Sequence, residues 1–299
     1  MNDSTASHIL VARAADGQLL CVESFSDTEV QARVLSSKLE SFAELVDSAS
    51  EAPLERYALE QLTLPLPSRS KTRSLGIGLS YQDHRDDVAV QTTVIFEKNA
   101  SPTRLSDPVP YREYLDYETE VSLLLHRNEP TLFGYLMHND LSDRSIQVEN
   151  FDAKNLGPGF SKAKSFERAN AHGTLMAVGD ANLWKKLRIR FRVNGEARQQ
   201  LDTSLNILTP EGIHARVFED STLSQDAEWV VIGTGTPIGT VFRAPTLVEK
   251  LALVLRAGFS QKRARKLWLA SFSFLQPGDV LEFHSEILGR FTSRVEVFD

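Results

Sequence analysis

The stretch LDYETEVSLLLH, residues 115–126, joins acidic side chains to a run that is apolar enough to enter a protein core. Asp116, Glu118 and Glu120 stand at its head, and the uncharged run from Val121 to Leu125 follows. Side chains two positions apart in a strand point to the same face, so Glu118 and Glu120 are expected to project side by side. Two such carboxylates repel each other unless a cation lies between them. The stretch predicts either a cation site or, as the simpler alternative, a frayed strand end with solvated acids.

Further segments before and after this stretch have the composition of strands, and Gly, Pro and Asn interrupt them. The segments are 74–79, 92–98, 132–138, 186–199 and 229–235. The Asn-Gly pair at 194–195 favours a tight hairpin. The pattern indicates a chain that consists mainly of strands and loops between residues 71 and 242.

The first 70 residues are predicted to form a small α+β region of their own. Residues 8–13 and 18–22 flank the turn signal Ala-Asp-Gly and predict a hairpin. Residues 26–49 carry apolar side chains at helical spacing and predict a helix. The Pro-, Ser- and Arg-rich segment 63–74 is interpreted as a linker. The predicted domains are therefore 1–70 and 71–299.

Two helices are predicted near the C-terminus. Residues 246–258 begin with Thr246 and Glu249 in capping-box spacing and end on Gly258. Leu247, Leu251, Val254 and Leu255 form an apolar stripe on this helix, which is expected to be buried. A second helix follows within 260–274, and its Lys- and Arg-rich start is interpreted as a solvated face.

After these helices, residues 275–298 predict two strands around a Pro-Gly-Asp turn.

Composition excludes several classes of protein. The 299 residues carry a net charge of −7, which gives no reason to expect a nucleic-acid partner. A single cysteine, Cys21, excludes an intrachain disulfide and a thiolate metal cluster. No apolar run of about 18 residues is present, and the N-terminal residues lack the pattern of a secretory signal. A cytoplasmic protein without membrane contact is expected.

Short polar motifs follow the predicted strands in a fixed order. His84 and Asp87 come after one strand, Glu118 and Glu120 open another, and Asp140 follows a third. Lys-Ser-Phe at 164–166, Gly-Thr-Pro at 235–237 and Pro-Gly-Asp at 277–279 complete the series. In this order the motifs resemble the fumarylacetoacetate hydrolase family, over about 75–242 and 275–299.

The resemblance implies a fold of the α+β class that is mainly β, a fumarylacetoacetate hydrolase-like sandwich or roll with a helical insertion at about 243–274. It implies a homodimer built through the main β-rich domain. It also implies that Glu118, Glu120 and Asp140 bind a divalent cation, which answers the question of the paired acids. Three oxygen anions suit Mg²⁺, with Mn²⁺ or Ca²⁺ as substitutes. Asp116 is expected to be structural.

The resemblance further implies an enzyme that acts on small 2-oxo acids or 1,3-dicarbonyl compounds such as acylpyruvates. Its catalytic residues would be His84, held by Asp87 as general base, and Lys164. Asp86 is the alternative to Asp87 as the partner of His84, and Lys162 is the alternative to Lys164. The residues expected to hold substrate are Tyr81, Arg144, Gln147, Gly235 and Thr236. Arg144 could equally brace the metal-binding acids, and His126, His138, His172 and His214 are interpreted as structural or solvent-facing.

Some features depart from the family pattern. Asp87 replaces the usual Glu, Ser80 replaces Asn or Asp, and residues 167–174 replace a Pro-x-Gly-Pro element. The helical insertion is expected to cap the substrate pocket, with a dimer interface or a flanking hairpin as alternatives.

Three functions follow from the sequence. The first is Mg²⁺-dependent hydrolysis of a C–C bond in a 1,3-dicarbonyl or 2-oxo acid. The second is a metal-dependent decarboxylase, tautomerase or dehydratase of a 2-oxo acid, which needs no attacking water. The third is a binding or scaffold protein that has lost turnover.

Overall fold

The computed structural model describes residues 8–36, 38–48, 52–81, 93–152, 154–243 and 245–298. The strands are β1 (Ile9–Arg13), β2 (Leu19–Phe25), β3 (Glu29–Val34), β4 (Glu55–Ala58), β5 (Thr72–Gly78), β6 (Val94–Glu97), β7 (Thr103–Arg104), β8 (Val109–Pro110), β9 (Leu115–Asp116), β10 (Thr119–His126), β11 (Phe133–Asp140), β12 (Ser142–Asp143), β13 (Asn170–Gly179), β14 (Arg188–Val193), β15 (Glu196–Asp202), β16 (Trp229–Gly233), β17 (Val280–Ser285) and β18 (Gly289–Glu296). The helices are α1 (Phe42–Asp47), α2 (Arg144–Glu149), α3 (Gly157–Ala163), α4 (Ala181–Trp184), α5 (Pro210–Glu219), α6 (Ser221–Ser224), α7 (Leu247–Arg256) and α8 (Gln261–Leu269).

A large mixed sheet forms the centre of the protein. Its strands follow the order β4-β3-β2-β1-β13-β11-β10-β16-β5-β6, and β7 also pairs with β13. Every described residue of β10, β11 and β13 is buried, because both faces of the sheet are covered there. The N-terminal strands continue this sheet through antiparallel pairing of β1 with β13. The division of the chain at residue 70 stays a prediction.

A second sheet of five strands, in the order β15-β14-β17-β18-β8, packs against one face of the large sheet. Buried and exposed residues alternate along β14 and β18, as expected for a sheet with one face in water. The buried face contributes Phe191 and Phe283 to the main core. On the other face of the large sheet, Phe42 of α1 packs edge-on against Trp229 of β16, at 5.1 Å between ring centroids. The predicted class, mainly β within α+β and with a sandwich of two sheets, is confirmed.

The helix predicted for residues 26–49 is wrong over its first half. Residues 29–34 form strand β3, which pairs with β2 on one side and β4 on the other. Val30 and Ala32 are buried while Glu29, Gln31 and Arg33 are less so, which is the two-residue period of a strand. Only the short helix α1 remains of the prediction. Pairing with two neighbouring strands prevails over the helical spacing of the apolar residues.

The hairpins are confirmed in most respects. β1 pairs with β2 around the predicted turn, and β14 pairs with β15 around Asn194 and Gly195, which both have positive φ. The Pro-Gly-Asp turn, however, precedes both closing strands instead of joining them. Gly278 adopts a φ of +92° there, and residues 286–288 connect β17 to β18.

Both predicted C-terminal helices are confirmed as α7 and α8. Thr246 and Glu249 form the predicted capping box, and Gly258 has a φ of +59° just after α7. The expectation that the apolar stripe of α7 is buried is wrong for the protomer. Leu247 and Leu251 are 83% and 64% exposed. Helical periodicity predicts an apolar face but does not tell which surface, if any, covers it.

None of the helices formed by the described residues is long and apolar enough to cross a membrane.

Candidate active site

Two paired strands bring the acidic residues together. Glu118 immediately precedes β10, Glu120 is the second residue of β10, and Asp140 ends β11. In this antiparallel pair Glu120 lies opposite His138, and the backbone N–H of Asp140 donates to the carbonyl of Glu118 at 2.9 Å. All four residues are buried. The register of β10 against β11 therefore concentrates three carboxylates inside the protein.

Glu118 is held by two cations. Arg144 Nη2 donates to its Oε1 at 2.7 Å, and Lys164 Nζ donates to its Oε2 at 2.6 Å. Arg144 opens α2 directly after the N-cap Asp143, and Lys164 is the C-cap of α3. Both oxygens of Glu118 are therefore ion-paired.

Lys164 also reaches a second acid, because its Nζ lies 3.0 Å from Asp140 Oδ2. Burial by itself would lower the pKa of this lysine, but the charges of Asp140 and Glu118 outweigh burial and raise the pKa. Lys164 is therefore an ammonium group held between two carboxylates.

Lys98 is a second buried lysine at these acids, and the sequence analysis did not select it. Its Nζ lies 2.8 Å from Asp140 Oδ1 and 3.0 Å from His138 Nε2. Here burial prevails over the attraction of Asp140 and lowers the pKa of Lys98. The signal available in the sequence was a lone lysine at the end of an apolar strand, which is also common at protein surfaces.

Glu120 has no such partner. Neither of its oxygens has a hydrogen-bond partner among the described residues. Burial raises the pKa of Glu120 well above its ordinary value, and the neighbouring charges of Asp140 and Glu118 raise it further. A Cβ at Gly233 of β16 would lie only 2.5 Å from Glu120 Oε2. Glycine at that position leaves room for the carboxylate.

His138 faces the same acids. Its Nδ1 lies 2.8 Å from the carbonyl oxygen of Ala171, which can only accept, so Nδ1 carries the proton and Nε2 is an acceptor. Burial, reinforced by the positive charge of Lys98, lowers the pKa of His138 well below its usual range. The imidazole is therefore neutral, which is the form that binds metals. One ligand atom each from Glu120, His138 and Asp140 lie within 4.8 Å of one another.

The charges of this cluster suit an additional cation. The carboxylates are Asp116, Glu118, Glu120 and Asp140, and the side-chain cations are Lys98, Arg144 and Lys164. Among the described residues the acids thus exceed the bases by one, and Glu120 is the acid whose oxygens lack hydrogen-bond donors. The residues fit a divalent cation held by Glu120 and Asp140, with either Glu118 or His138 as the third ligand.

Asp116 joins the acids to the loop that precedes the helical insertion. Its Oδ2 accepts from Arg144 Nε at 2.8 Å. Its two oxygens also accept from the backbone N–H groups of Val241 and Phe242, at 3.0 and 3.1 Å. These contacts support the structural role expected of Asp116.

A cavity of about 610 Å³ opens above Glu118. We call its polar end the floor, formed by Glu118, Arg144, Gln147 and Lys164. Gly235 and Thr236 border it. Leu253 of α7, Ala264 and Trp268 of α8, and Phe272 just after α8 line one side of it. The insertion therefore lines one side of this cavity, and its role as a cap of the substrate pocket stays a prediction.

Sequence comparison identifies the family. The description Fumarylacetoacetate (FAA) hydrolase C-terminal matches residues 73–296. The chain belongs to the fumarylacetoacetate hydrolase family. Hydrolases and isomerases both occur in this family of enzymes, and its members typically depend on a divalent metal. Among curated proteins, none matches the sequence.

Solved structures of low sequence identity share the fold. Fumarylacetoacetate hydrolase from Exiguobacterium antarcticum is 21% identical with a TM-score of 0.63, and the match covers 98% of this chain and 100% of that one. 2-Hydroxyhepta-2,4-diene-1,7-dioate isomerase from Mycobacterium marinum is 18% identical with a TM-score of 0.60, and the match covers 97% of this chain and 98% of that one. 5-Carboxymethyl-2-hydroxymuconate delta-isomerase from Mycobacterium smegmatis is 16% identical with a TM-score of 0.59, and the match covers 98% of this chain and 100% of that one.

Six of the eleven site residues expected from the family resemblance line the cavity. Lys164 lies there, whereas Lys162 donates to Asn150 Oδ1 at the surface. Arg144 both braces Glu118 and lines the cavity, and its Nη1 donates to Gln147 Oε1 at 2.6 Å. The two interpretations of Arg144 are therefore compatible.

Gly235 and Thr236 belong to the loop that borders the cavity. Gly235 has a φ of +89°, and a Cβ there would collide with Ser80 Oγ. The Ser80 hydroxyl donates to the carbonyl of Thr234, so this departure from the family pattern has a structural role. Thr236 Oγ1 donates to the carbonyl of Thr119 at 3.0 Å and is therefore fixed against β10.

One of the expected residues lies away from the cavity. Tyr81 is buried in the main core and is not part of the cavity lining. His84, Asp86 and Asp87 lie outside the described residues, so the proposed dyad stays a prediction.

His126, His138, His172 and His214 are all buried, which excludes the solvent-facing interpretation. His172 stacks on His138 at 4.4 Å between ring centroids. His138 alone among His126, His138, His172 and His214 belongs to the group that could hold a metal. The sequence feature that could have identified His138 is its two-residue spacing from Asp140, which places both side chains on one face of β11.

Proposed function

We propose that this protein is a divalent-metal-dependent hydrolase that cleaves a C–C bond in a 1,3-dicarbonyl or 2-oxo acid, such as an acylpyruvate. The observation that carries the proposal is the buried cluster next to the cavity floor. Among the described residues its acids exceed its bases by one, and Glu120 lacks hydrogen-bond donors. Membership of a family of metal-dependent enzymes supports the same reaction class.

Glu118, Glu120 and Asp140 would hold the cation, with His138 as the alternative to Glu118. An all-oxygen set favours Mg²⁺, with Mn²⁺ or Ca²⁺ as substitutes. When bound, a divalent cation would act as a Lewis acid toward the oxygens of the 2-oxo acid.

The protein side chains divide the remaining work. His84, oriented by Asp87, would take a proton from water, and the resulting hydroxide would add to the distal carbonyl carbon. The C–C bond then breaks, its electron pair passes to the carbon next to the 2-oxo group, and that carbon collects a proton. Lys164 would stabilise the negative charge, and Arg144 and Gln147 would orient the carboxylate end.

A lyase or isomerase is the second candidate. Two structural relatives bear the names of isomerases. Decarboxylation, tautomerisation or dehydration of a 2-oxo acid would use the same acids and Lys164 but no attacking water.

Turnover of a panel of acylpyruvates and oxaloacetate, with Mg²⁺ and with a chelator, tests the proposal. Two carboxylic acid products in a Mg²⁺-dependent reaction would support hydrolysis, and CO₂ would support the second candidate. A Lys164→Met variant is the control for residual metal-catalysed decay in solution. Absence of any turnover beyond that control would refute an enzymatic role and leave a binding protein.

We further propose that the protein acts in the cytoplasm as a homodimer built through its β-rich domain. Light scattering of the purified protein tests the assembly.

A further inference from the structure

The cavity has two chemically different ends. The floor is charged, whereas large apolar side chains line much of the rest. We call six of them the wall: Phe96, Phe160, Phe242, Leu253, Trp268 and Phe272. A small 2-oxo acid satisfies only the floor.

The wall has two opposing sides. Phe96 of β6 and Phe160 of α3 are 5.5 Å apart between centroids and form one side. On the other side, Phe272 packs against Trp268 at 5.0 Å and against Phe242 at 5.5 Å. The indole N–H of Trp268 donates to the carbonyl of Arg243 at 3.0 Å. The wall therefore offers apolar surface, with the one polar group of Trp268 already bonded.

The size of the cavity is informative. Cavities of roughly 300–1,000 Å³ accommodate drug-sized ligands that bury most of their surface. At about 610 Å³, the cavity greatly exceeds what a three- or four-carbon acid fills. Covering the apolar wall with an apolar group of a ligand removes it from water, which is favourable.

We propose that the substrate is a 2-oxo or 1,3-dicarbonyl acid with an apolar acyl or aryl tail of roughly six or more carbons. Its acid end lies on the floor and its tail lies between α7–α8 and the Phe96–Phe160 side. This substrate class rests on the proposed function of the floor, and it makes the helical insertion the element that sets specificity.

A competing occupant is a diacid, because Lys250 and Arg265 lie at the cavity and are exposed. Arg265 Nη1 contacts only a backbone carbonyl, that of Glu149, at 3.5 Å. Lys250 and Arg265 are two cations in a lining that is mostly apolar beyond the floor. A methyl-ended tail therefore matches the lining better than a second carboxylate does.

Calorimetric titration with pyruvate, 2-oxohexanoate, 2-oxooctanoate and 2-oxodecanoate, all with Mg²⁺, tests the tail. Affinity should rise about fourfold for each methylene that the wall buries. A flat series would overturn the proposal, as would tighter binding of a 2-oxo diacid than of the monoacid of equal length.

Two variants of α7 separate the wall from non-specific adhesion to the exposed face of that helix. Leu253→Asp places a charge in the wall and should abolish the dependence on chain length. Leu251→Asp places the same charge on the exposed face and should leave that dependence unchanged. Equal effects of the two substitutions would contradict the proposed tail site.

An obstruction provides an independent check. Ala264 lines the cavity, so Ala264→Trp should weaken binding of 2-oxodecanoate at least tenfold while pyruvate binding stays unchanged. Equal loss for both acids would overturn the assignment.

These titrations do not depend on turnover. Chain-length-dependent binding without cleavage of long-chain acylpyruvates would refute the proposed hydrolysis and leave the tail site intact. Cleavage of short acylpyruvates without chain-length-dependent binding would do the reverse.

Discussion

Among the described residues, Glu120 is a buried acid for which neither side-chain oxygen has a hydrogen-bond partner. Its carboxylate is buried, lacks hydrogen-bond donors among the described residues and lies near two other acids. Glu118, only two positions earlier, is paired through both oxygens with Arg144 and Lys164. The two glutamates should therefore affect stability in opposite directions.

We predict that Glu120→Gln stabilises the metal-free protein, because it removes a buried carboxylate that has no donor. Glu118→Gln should destabilise it by on the order of 3 kcal/mol, because two buried cations lose their charged partner. Thermal melts in the presence of a chelator measure both effects. A lower melting temperature for Glu120→Gln than for the wild type would contradict the assignment of Glu120 as the unpaired acid.

The benefit of Glu120→Gln should depend on pH. The pKa of Glu120 is higher in the folded chain than its ordinary value of 4.5, so the folded state binds more protons than the unfolded state above that pH. The wild type therefore loses stability as pH rises above about 4.5, until it passes the folded pKa. The stability difference between the variant and the wild type should grow over this range. A constant difference from pH 4 to pH 8 would argue against this account.

Metal binding should distinguish the two possible ligand sets. We expect Glu120→Gln and Glu118→Gln to lose most Mg²⁺ affinity, and His138→Gln to retain it, because oxygen ligands suit Mg²⁺. Calorimetric titration of each folded variant measures this. Loss of affinity in His138→Gln with retention in Glu118→Gln would make Glu120, His138 and Asp140 the site.

The proposed dyad calls for a separate experiment. His84→Ala should keep metal and substrate-analogue binding and lose hydrolysis by about 10²–10⁴, the usual contribution of a general base. Asp87→Ala should reduce turnover further than the matched control Asp86→Ala. Wild-type hydrolysis by His84→Ala would remove His84 from the mechanism.

At the scale of secondary-structure elements, the α7–α8 pair is attached to the site through backbone contacts. Asp116 binds Arg144 and also the N–H groups of Val241 and Phe242, just before the insertion. The position of the α7–α8 pair should therefore affect the cavity wall, whereas the acidic residues should remain in place.

Replacing residues 246–272 with a short Gly-Ser linker should raise KM or change substrate selectivity and leave Mg²⁺ binding intact. The reason is that α7 and α8 contribute to the wall but supply none of the candidate metal ligands. Steady-state kinetics with acylpyruvates of two chain lengths, beside Mg²⁺ calorimetry, measure the two properties separately. Unchanged kinetics on both substrates would show that the cap has no part in selectivity.

At the scale of the whole molecule, the buried polar site is accompanied by an exposed apolar face on α7. On α7, Leu247, Val248, Leu251 and Leu255 are exposed, and Phe259 follows them. The proposed dimer is built through the β-rich domain, so this face should be in solvent.

The double substitution Leu251→Lys and Leu255→Lys should accordingly keep the oligomeric mass and change stability by less than about 0.5 kcal/mol per residue. Light scattering and thermal melts measure the two quantities. A fall in mass to that of a single chain would place α7 in the subunit interface instead.

Much of the fold follows from local patterns. The apolar segments at 74–79, 132–138 and 229–235 are the strands β5, β11 and β16, because an uncharged run bounded by turn residues has few alternatives. Residues 29–34 show the opposite case. Their helical spacing was overruled by pairing with β2 and β4, which lie at both sides only after the sheet has formed.

The sequence by itself determined the family and the acidic residues. Motifs such as Asp-Tyr-Glu-Thr-Glu and Asn-Asp are short, and their order along the chain can be recognised without knowledge of the fold. Only the tertiary structure decided which acid is paired and which is not. Lys98 is 42 residues from Asp140 along the chain, and Lys164 is 46 residues from Glu118. Ion pairing depends on distances of a few ångströms across strands and helices, which the local spacing of residues does not specify. The wall has the same origin, since β6, α3 and the C-terminal helices meet around one cavity only in the folded chain.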